Sequence, residues 1–459
     1  MKCSEIRQLA QVKAPILSRR ARVLAGAESV SQFRVAARRA LPRAVFDYLE
    51  AGCEDEVSLR DNRAAFDRWA LMPAWGPVTG PDTSTTVLGR TCALPLTLSP
   101  TGATRLFDPQ GELAVAEAAN AAGVPYGLAG LSTVPMEALG EEFPDLDRWF
   151  SFGLTSDRGY MEAKLDRCTD SGYRALLVNL DTRATGSSQR DRRNGFTAPV
   201  ALTLSALIGM AARPRWWFNF LKAEAIRFPN LEPVAAADDL MVSPSMWQQV
   251  LENSDASKGW DDLEALRAAW CGRIILKGCV NPDDIDRAVG IGIDAVQLSN
   301  HGGRQLDHML HPMDVLQESR QRVGERIELY VDSGIRRGGD IFKALALGAD
   351  ACSVGRPYLY GLAAAGSRGV SAVIDILGDE LRRTMTLVGV SSIAELKQKG
   401  SHVLREVGNS RLADGGGEVS PRYRPAAEDG LWDQPPVARR PAGRTASLSA
   451  ASRQVATAR

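Results

Sequence analysis

The sequence predicts an α/β protein of the (β/α)8, TIM-barrel class, with an N-terminal helical extension and a disordered C-terminal tail. Three observations carry this. From about residue 93 to 360 the chain repeats one pattern eight times: a short apolar run, a turn, then an Ala/Leu/Glu-rich stretch. The apolar runs are near-continuous rather than alternating, as parallel strands buried on both faces require. The 459 residues also leave ample room for the roughly 250 that such a barrel uses.

The strands are expected at "LPLTLSP" (94–100), "PYGLAG" (125–130), "WFSFGL" (149–154), "ALLVNLDT" (175–182), "RIILKG" (273–278), "AVQLSN" (295–300), "IELYVDSG" (327–334) and "ACSVGRP" (351–357). Stretches such as "GELAVAEAANAAG" (111–123) and "GGDIFKALALGAD" (338–350) supply the helical crossovers. Residues 1–92 read as an extension plus helices that pack on the barrel, and 93–398 as the barrel itself. Residues 1–43 carry ten Lys/Arg against Glu5 and Glu28. "SVSQFRVAARRALPRAVFDYLEAG" (29–52) reads as helix interrupted at Pro42, with Ser29 or Ser31 as its cap.

The longest gap, about 183–272, follows the fourth strand and therefore belongs to the mouth of the barrel. It contains "ARPRWWFNFLKAEAIRF" (211–227). Long insertions of this kind usually cover a site, so a lid is expected. The rival reading is a membrane-surface segment, because aromatics beside Arg and Lys suit an interface. From 399 to 459 a disordered tail is expected, since 406–459 is rich in Gly, Pro, Ser, Ala and Arg and offers little to a core.

Composition narrows the function classes. Lys plus Arg equals Asp plus Glu, 55 each, which gives no sign of a nucleic-acid partner. Seven scattered cysteines without a CxxC pair fit reduced thiols in a cytoplasmic protein, not a disulfide framework or a zinc site. No signal peptide is visible, and no run approaches the roughly 18 apolar residues of a membrane span.

In this fold the reacting groups stand at the C-terminal ends of the strands. Those ends offer Pro100, Thr101 and Gly102; Asp181 and Thr182; Lys277; Ser299, Asn300 and His301; Asp332, Ser333 and Gly334. Lys277 either meets an anion in the mouth or snorkels to solvent. "DSGIRRGGDIFKALALGADACSVGRP" (332–357) places glycines before helices where this fold commonly binds phosphate, and Arg336 and Arg356 can add charge-assisted bonds. His301 has the pKa range of a base at neutral pH, and Arg304 can hold a carboxylate bidentately. A lone loop histidine is more often structural. His308 and His311 lack the spacing and acidic partners of a metal site, so no metal is expected.

"SNHGGRQLD" (299–307) resembles the signature of the FMN-dependent α-hydroxy acid oxidase and dehydrogenase family, which includes glycolate oxidase, mandelate dehydrogenase and L-lactate dehydrogenase. "LPRAVFDYLEAGCEDE" (41–56), "SPTGATRLFDPQGE" (99–112), "LKG" (276–278), "DSGIRRGGDIFKALALGAD" (332–350) and "GRPYLYGLAAAG" (355–366) support it, in order, over about 29–398. The resemblance implies FMN as cofactor and oxidation of an L-2-hydroxy acid to the 2-oxo acid. His301 is then the base, Asp181 its orienting carboxylate, and Arg304 with Tyr48 the substrate-carboxylate anchor. Lys277 stabilises the electron-rich flavin. Ser299, Pro100, Thr101, Gly102, Asp332 and Gly334 belong to the cofactor site, and Arg336, Gly355 and Arg356 to its phosphate grip. Oxygen or a quinone is the implied electron acceptor, and a homotetramer the implied assembly. The expected location is cytoplasmic, with peripheral contact at the inner membrane face.

The departures from the family pattern are specific. Phe150-Ser151-Phe152-Gly153 stands where Phe-Gln-Leu-Tyr is usual. Ala129 replaces a flavin-contacting hydroxyl, Asn179 a threonine, and Ser187-Ser188 fall where a second carboxylate arginine is expected, with Arg190 near but out of phase. Three readings follow: a flavoenzyme for an atypical or bulkier acid, as specialised biosynthesis would use; an ordinary L-lactate dehydrogenase or oxidase; or a catalytically impaired binding protein. The intact His301, Arg304, Lys277 and Asp181 favour the first two.

Overall fold

A computed structural model describes residues 18–155, 157–195, 209, 211–223, 226–231 and 257–407. Each of the eight apolar runs forms one strand: β1 (Leu96–Leu98), β2 (Tyr126–Leu128), β3 (Arg148–Phe152), β4 (Ala175–Asn179), β5 (Arg273–Cys279), β6 (Ala295–Leu298), β7 (Glu328–Val331) and β8 (Ala351–Val354). They pair in parallel in that order, and β8 pairs with β1 to close the barrel.

Successive side chains of a strand point to opposite faces. Leu176, Val178, Ile274, Leu276, Val296 and Leu298 belong to the large core shared with the surrounding helices. The alternate positions fill the interior. Its lower part is a separate apolar cluster of Trp149, Ala175, Leu177, Ile275, Ala295, Tyr330 and Ala351. Val87, Leu88 and Cys92 join that cluster from the antiparallel pair Thr85–Val87 and Arg90–Cys92. Full burial of each large side chain contributes about 1.5–3 kcal/mol. Two residues further along each strand the same faces turn polar: Ser151, Asn179, Lys277, Gln297, Asp332 and Ser353. That change from apolar floor to polar upper layer places the chemistry at one end.

Among the described residues four helices precede the barrel: α1 (Arg19–Gly26), α2 (Val30–Ala40), α3 (Arg43–Glu50) and α4 (Val57–Asp67). Ser29 caps α2 by accepting from the Gln32 amide, and Pro42 separates α2 from α3, as its ring predicts. Val30, Phe33 and Ala37 recur at helical spacing and are buried. The loop after α3 is tied to the mouth: the Cys53 amide donates to the Gly303 carbonyl at 2.7 Å. Asp307 accepts from the amides of Asp55, Val57 and Ser58, which fixes the start of α4.

Two expected boundaries are corrected. Trp260–Ala269, assigned to the insertion, is a helix whose Leu263 and Leu266 are buried and whose Arg267 pairs with Asp294, so it belongs to the barrel wall. Residues 399–406 are not tail: Leu404–Glu406 pairs antiparallel with Trp69–Leu71, because alternating contacts there bury Val403 and Leu404. Residues 408–459, and the rest of the expected tail with them, lie outside the described residues. Within the insertion, Pro214–Lys222 forms a helix, α5, anchored where Trp216 Nε1 donates to the Leu106 carbonyl at 2.9 Å. Much of the expected lid lies outside the described residues.

Candidate active site

The end of β6 turns sharply into the mouth. His301 has φ +55°, Gly302 +64° and Gly303 +74°, three successive left-handed residues of which only the first carries a side chain. Such a conformation costs of order 1–3 kcal/mol for a non-glycine residue and persists only where its surroundings fix it. Here the His301 amide donates to Ser299 Oγ at 3.0 Å, and its ring faces Asp181 from the end of β4. His301 Nδ1 lies 3.1 Å and 3.2 Å from the two Asp181 oxygens. Gly278 makes room for that carboxylate, since a Cβ there would strike it. Burial alone raises the Asp181 carboxyl; the His301 charge and hydrogen bond, with Lys277, outweigh it and hold the group below its usual range. The carboxylate thus stays ionised, and Nδ1 carries a proton toward it. Nε2 is left to face the mouth.

Lys277, from β5, is buried rather than snorkelling: its side chain is 4% exposed. Its Nζ lies 3.4 Å from Ser299 Oγ, 3.5 Å from His301 Nδ1 and 3.8 Å from Asp332 Oδ2. Sequence left two readings open for this residue, and the burial decides between them.

Arg304 leans on α3. Its Nη1 donates to the carbonyls of Tyr48 at 2.8 Å and Ala51 at 3.0 Å, and its guanidinium stacks 5.2 Å from the Tyr48 ring centre. Burial raises the Tyr48 phenol, opposed by Arg304, so the hydroxyl stays a neutral donor. Facing them is the segment that was expected to hold a second arginine. Ser188 caps the helix Gln189–Asn194 by accepting from the Asp191 amide at 3.2 Å, and Arg190 pairs with Glu56. Burial raises the Asp191 carboxyl, with Arg304 opposing the shift. Neither serine carries charge, and Arg190 is engaged by Glu56. On the opposite wall β2 and β3 lead into Ala129, Ser151 and Gly153; Ser151 Oγ accepts from Asn179 Nδ2 at 3.1 Å.

At the other end of the mouth, Gly334 lies at φ +98° with its Cα against the Asn62 carbonyl, so no larger residue fits. Gly355 caps the helix α6 (Arg356–Ala365). The Arg336 guanidinium donates to the Ile335 carbonyl at 2.8 Å. The Arg356 guanidinium is engaged by the protein itself: it donates to the carbonyls of Leu49, Gly302 and Ala51 at 2.9–3.1 Å. Burial, and Arg304 beside it, pull Arg356 down to about 10, still protonated at neutral pH. Of the residues expected to grip a phosphate, Arg356 clamps the α3 loop to the His301 turn. Pro100, Thr101 and Gly102 follow β1, and Thr101 Oγ1 shares a 2.7 Å hydrogen bond with Tyr358.

Several contacts of the mouth escaped the sequence reading. Asn62 and Asn300 form a buried reciprocal amide pair at 3.0 Å and 2.6 Å, joining α4 to the His301 turn. His311 is a structural residue: its Nδ1 accepts from the Met313 amide and its Nε2 meets the Ser333 carbonyl at 2.8 Å. Gln297 sits inside the barrel, hidden in a run read only as apolar strand. A polar letter at an inward position was the available signal for it.

A barrel whose polar end joins an ionised carboxylate, an imidazole, a buried ammonium and a stacked guanidinium is built to bind an acid and take a proton from it. Such a set suits an oxidoreductase or a lyase acting on an organic acid. The family is settled by likeness: the profile of the FMN-dependent dehydrogenase family matches residues 37–403, and the chain belongs to that family. It is 36% identical over 405 residues to a putative L-lactate dehydrogenase of Mycobacterium tuberculosis, covering 88% of this chain and 96% of the relative. It is 35% identical over 369 residues to the (S)-mandelate dehydrogenase of Pseudomonas putida, covering 80% and 92%. Among solved structures, the monotopic membrane protein (S)-mandelate dehydrogenase aligns with TM-score 0.77 at 33% identity, over 83% of this chain and 100% of that one. The protein is thus an FMN-dependent oxidoreductase acting on the CH–OH group of an α-hydroxy acid.

The mouth fits FMN. Asn179 Oδ1 and Gln297 Oε1 are buried acceptors without a hydrogen-bond partner among the described residues. Each such orphan costs about 1–3 kcal/mol, so a ligand presenting a donor is favoured there. Lys277 supplies positive charge beside them, and the N-terminus of α6 at Gly355 is suited to a phosphate.

Proposed function

We propose that this enzyme oxidises an L-2-hydroxy acid bulkier than lactate to the corresponding 2-oxo acid. The observation that carries the reading is the asymmetry of the mouth: Gly153, Ala129 and Ser188 replace larger or charged groups, while the His301–Asp181 pair is intact at 3.1 Å. Arg304 holds the substrate carboxylate, with the Tyr48 hydroxyl beside it. His301 Nε2 takes a proton from the substrate, and Asp181 stabilises the imidazolium through Nδ1. Bound FMN would supply the acceptor for the two electrons together with the second hydrogen. Lys277 offers a fixed positive charge where negative charge develops, which lowers the barrier. Pro100, Thr101, Gly102, Ser299, Asp332 and Gly334 line the cofactor's place, with Arg336, Gly355 and Arg356 around its phosphate.

The test is an anaerobic panel of L-2-hydroxy acids read by bleaching of the flavin absorbance. Fast bleaching by an aryl- or long-alkyl-substituted acid and slow bleaching by L-lactate is expected. Fast bleaching by L-lactate would instead support the second reading, an L-lactate dehydrogenase or oxidase. The 36% identity to a putative L-lactate dehydrogenase speaks for that alternative. A protein that binds FMN but is bleached by no acid would support the third, a non-catalytic binding role.

Electrons then pass to oxygen or to a quinone. We propose peripheral contact with a membrane through α5, where Phe218 and Leu221 are exposed by 58% and 73% beside Arg215 and Lys222. No helix among the described residues is long and apolar enough to cross a membrane. The (S)-mandelate dehydrogenase with the aligned structure is monotopic, which supports this reading. Cosedimentation with anionic vesicles, lost in Phe218→Glu/Leu221→Glu, is the expected result. A cytoplasmic location rests on the scattered cysteines, and a homotetramer is carried over from the resemblance.

A further inference from the structure

We propose that Gln297 is a positioning residue that sets how much of the Lys277 charge reaches the flavin. Inward positions of these barrels are dominated by bulky aliphatic residues. Here β6 places an amide in the middle layer, fully buried, between Ala295 below and Ser299 above. Its register partners are Lys277 on β5 and Tyr330 on β7, so it stands directly beside the lysine and one step below Asp332.

Both donors of the amide are used. Gln297 Nε2 donates to Asp332 Oδ2 at 2.6 Å and to Ser99 Oγ at 3.3 Å. Ser99 is in turn bonded to Ser353 Oγ at 2.6 Å, and Thr97 Oγ1 donates to Ser353 Oγ at 2.7 Å. The chain of hydroxyls fixes the amide from below. Its orientation follows from charge: the reversed amide would set Oε1 against a carboxylate. The Asp332 carboxylate thus receives a neutral donor from Gln297 on one oxygen and the Ser333 hydroxyl at 2.6 Å on the other. With both oxygens satisfied, Asp332 stays 3.8 Å from Lys277 Nζ, outside direct hydrogen-bond distance.

The consequence is electrostatic. A buried carboxylate deprived of its amide donor must find another, and the nearest is the Lys277 ammonium. Drawing the ammonium onto Asp332 neutralises the charge that favours electron-rich flavin. Gln297 therefore keeps the lysine available by occupying its competitor. It acts through Asp332 and need not touch substrate.

The experiment measures the midpoint potential of FMN in the holoenzyme. Gln297→Met keeps the volume and removes both donors. The two-electron reduction equilibrium should shift about tenfold toward oxidised flavin, a fall of about 30 mV for a two-electron couple. The potential is read on protein brought to full FMN occupancy, so a weaker hold on the cofactor does not enter the comparison. In an Asp332→Asn background the same substitution should leave the potential where it was, because there is no carboxylate to satisfy. A Gln297→Met potential equal to that of the parent overturns the proposal. So does an equal shift in both backgrounds, which would assign Gln297 a packing role. If Gln297→Met does not fold, Gln297→Leu in the same cycle reads the same coupling.

Discussion

On one side of the mouth, β4 to β7 deliver Asp181, Lys277, His301, Arg304 and Asp332, each fixed by hydrogen bonds or an ion pair to groups from another element. On the other side, β2 and β3 end in Ala129, Ser151 and Gly153, and the loop after β4 brings Ser187 and Ser188. The first side is over-determined. His301 is held in a left-handed turn by Ser299, by Gly302 and Gly303, and through Arg356 by the α3 loop. The second side meets its neighbours through small residues and local caps. The comparison teaches that the two sides answer to different demands. Proton transfer needs a base placed to a fraction of an ångström. Substrate shape needs only space, and space can change without disturbing the hydrogen-bonded side.

The largest effect should come from the fixed side. His301→Ala removes the base, and general-base catalysis contributes about 10²–10⁴-fold. Single-turnover flavin reduction by the best substrate should slow by about 10³-fold while FMN remains bound. A variant that reduces at the parent rate would move the base to another residue and erase the distinction between the sides.

Behind the same turn, His311 gives the fixed side a pH signature. Burial lowers its imidazole to about 4. The unfolded chain takes a proton near 6.5, the folded protein only near 4, so protonation favours unfolding in between. Stability should be full above about pH 6.5 and decline by about 3 kcal/mol as the pH falls to 4. Asp181 is shifted in the same direction but because its charged form is favoured, and its contribution is present above about 3.9 and lost only at lower pH. The two windows barely overlap. Urea denaturation across pH 4–7 should show the slope, and His311→Asn, which can still cap the helix, should flatten it.

Legibility in the sequence followed the same division. All eight strands were readable, because each is a continuous apolar run between turns, and β6 ended in a signature carrying His301 and Arg304. Boundaries were less readable. Trp260–Ala269 looked like part of an insertion because nothing local marks the return to the barrel wall. Leu404–Glu406 looked like tail because its burial depends on Trp69–Leu71, more than 300 residues away. The engagement of Arg356 by the carbonyls of Leu49, Ala51 and Gly302 was hidden for the same reason, because those carbonyls come from segments far from it along the chain. Gln297 was hidden differently, as one polar letter in an apolar run.

The smallest effect should sharpen the open side. Ser188 sits at the N-terminus of the Gln189–Asn194 helix, close to the space between Asp191 and Arg304. Ser188→Arg would supply a second guanidinium for a substrate carboxylate, and Asp191, whose Oδ1 has no hydrogen-bond partner among the described residues, is placed to orient it. A charge-assisted hydrogen bond contributes about 1.5–3 kcal/mol, from which the lost helix cap subtracts about 1 kcal/mol of stability rather than of binding. The kcat/KM for L-lactate should therefore rise by about tenfold, mostly through KM, with the gain for a bulky acid smaller because the new side chain also fills space. Steady-state kinetics on the two acids measures the ratio. An arginine that improved neither would mean that Arg304 alone already saturates carboxylate binding, and the emptiness of the Ser188 corner would then belong to the substrate's tail rather than to a missing anchor.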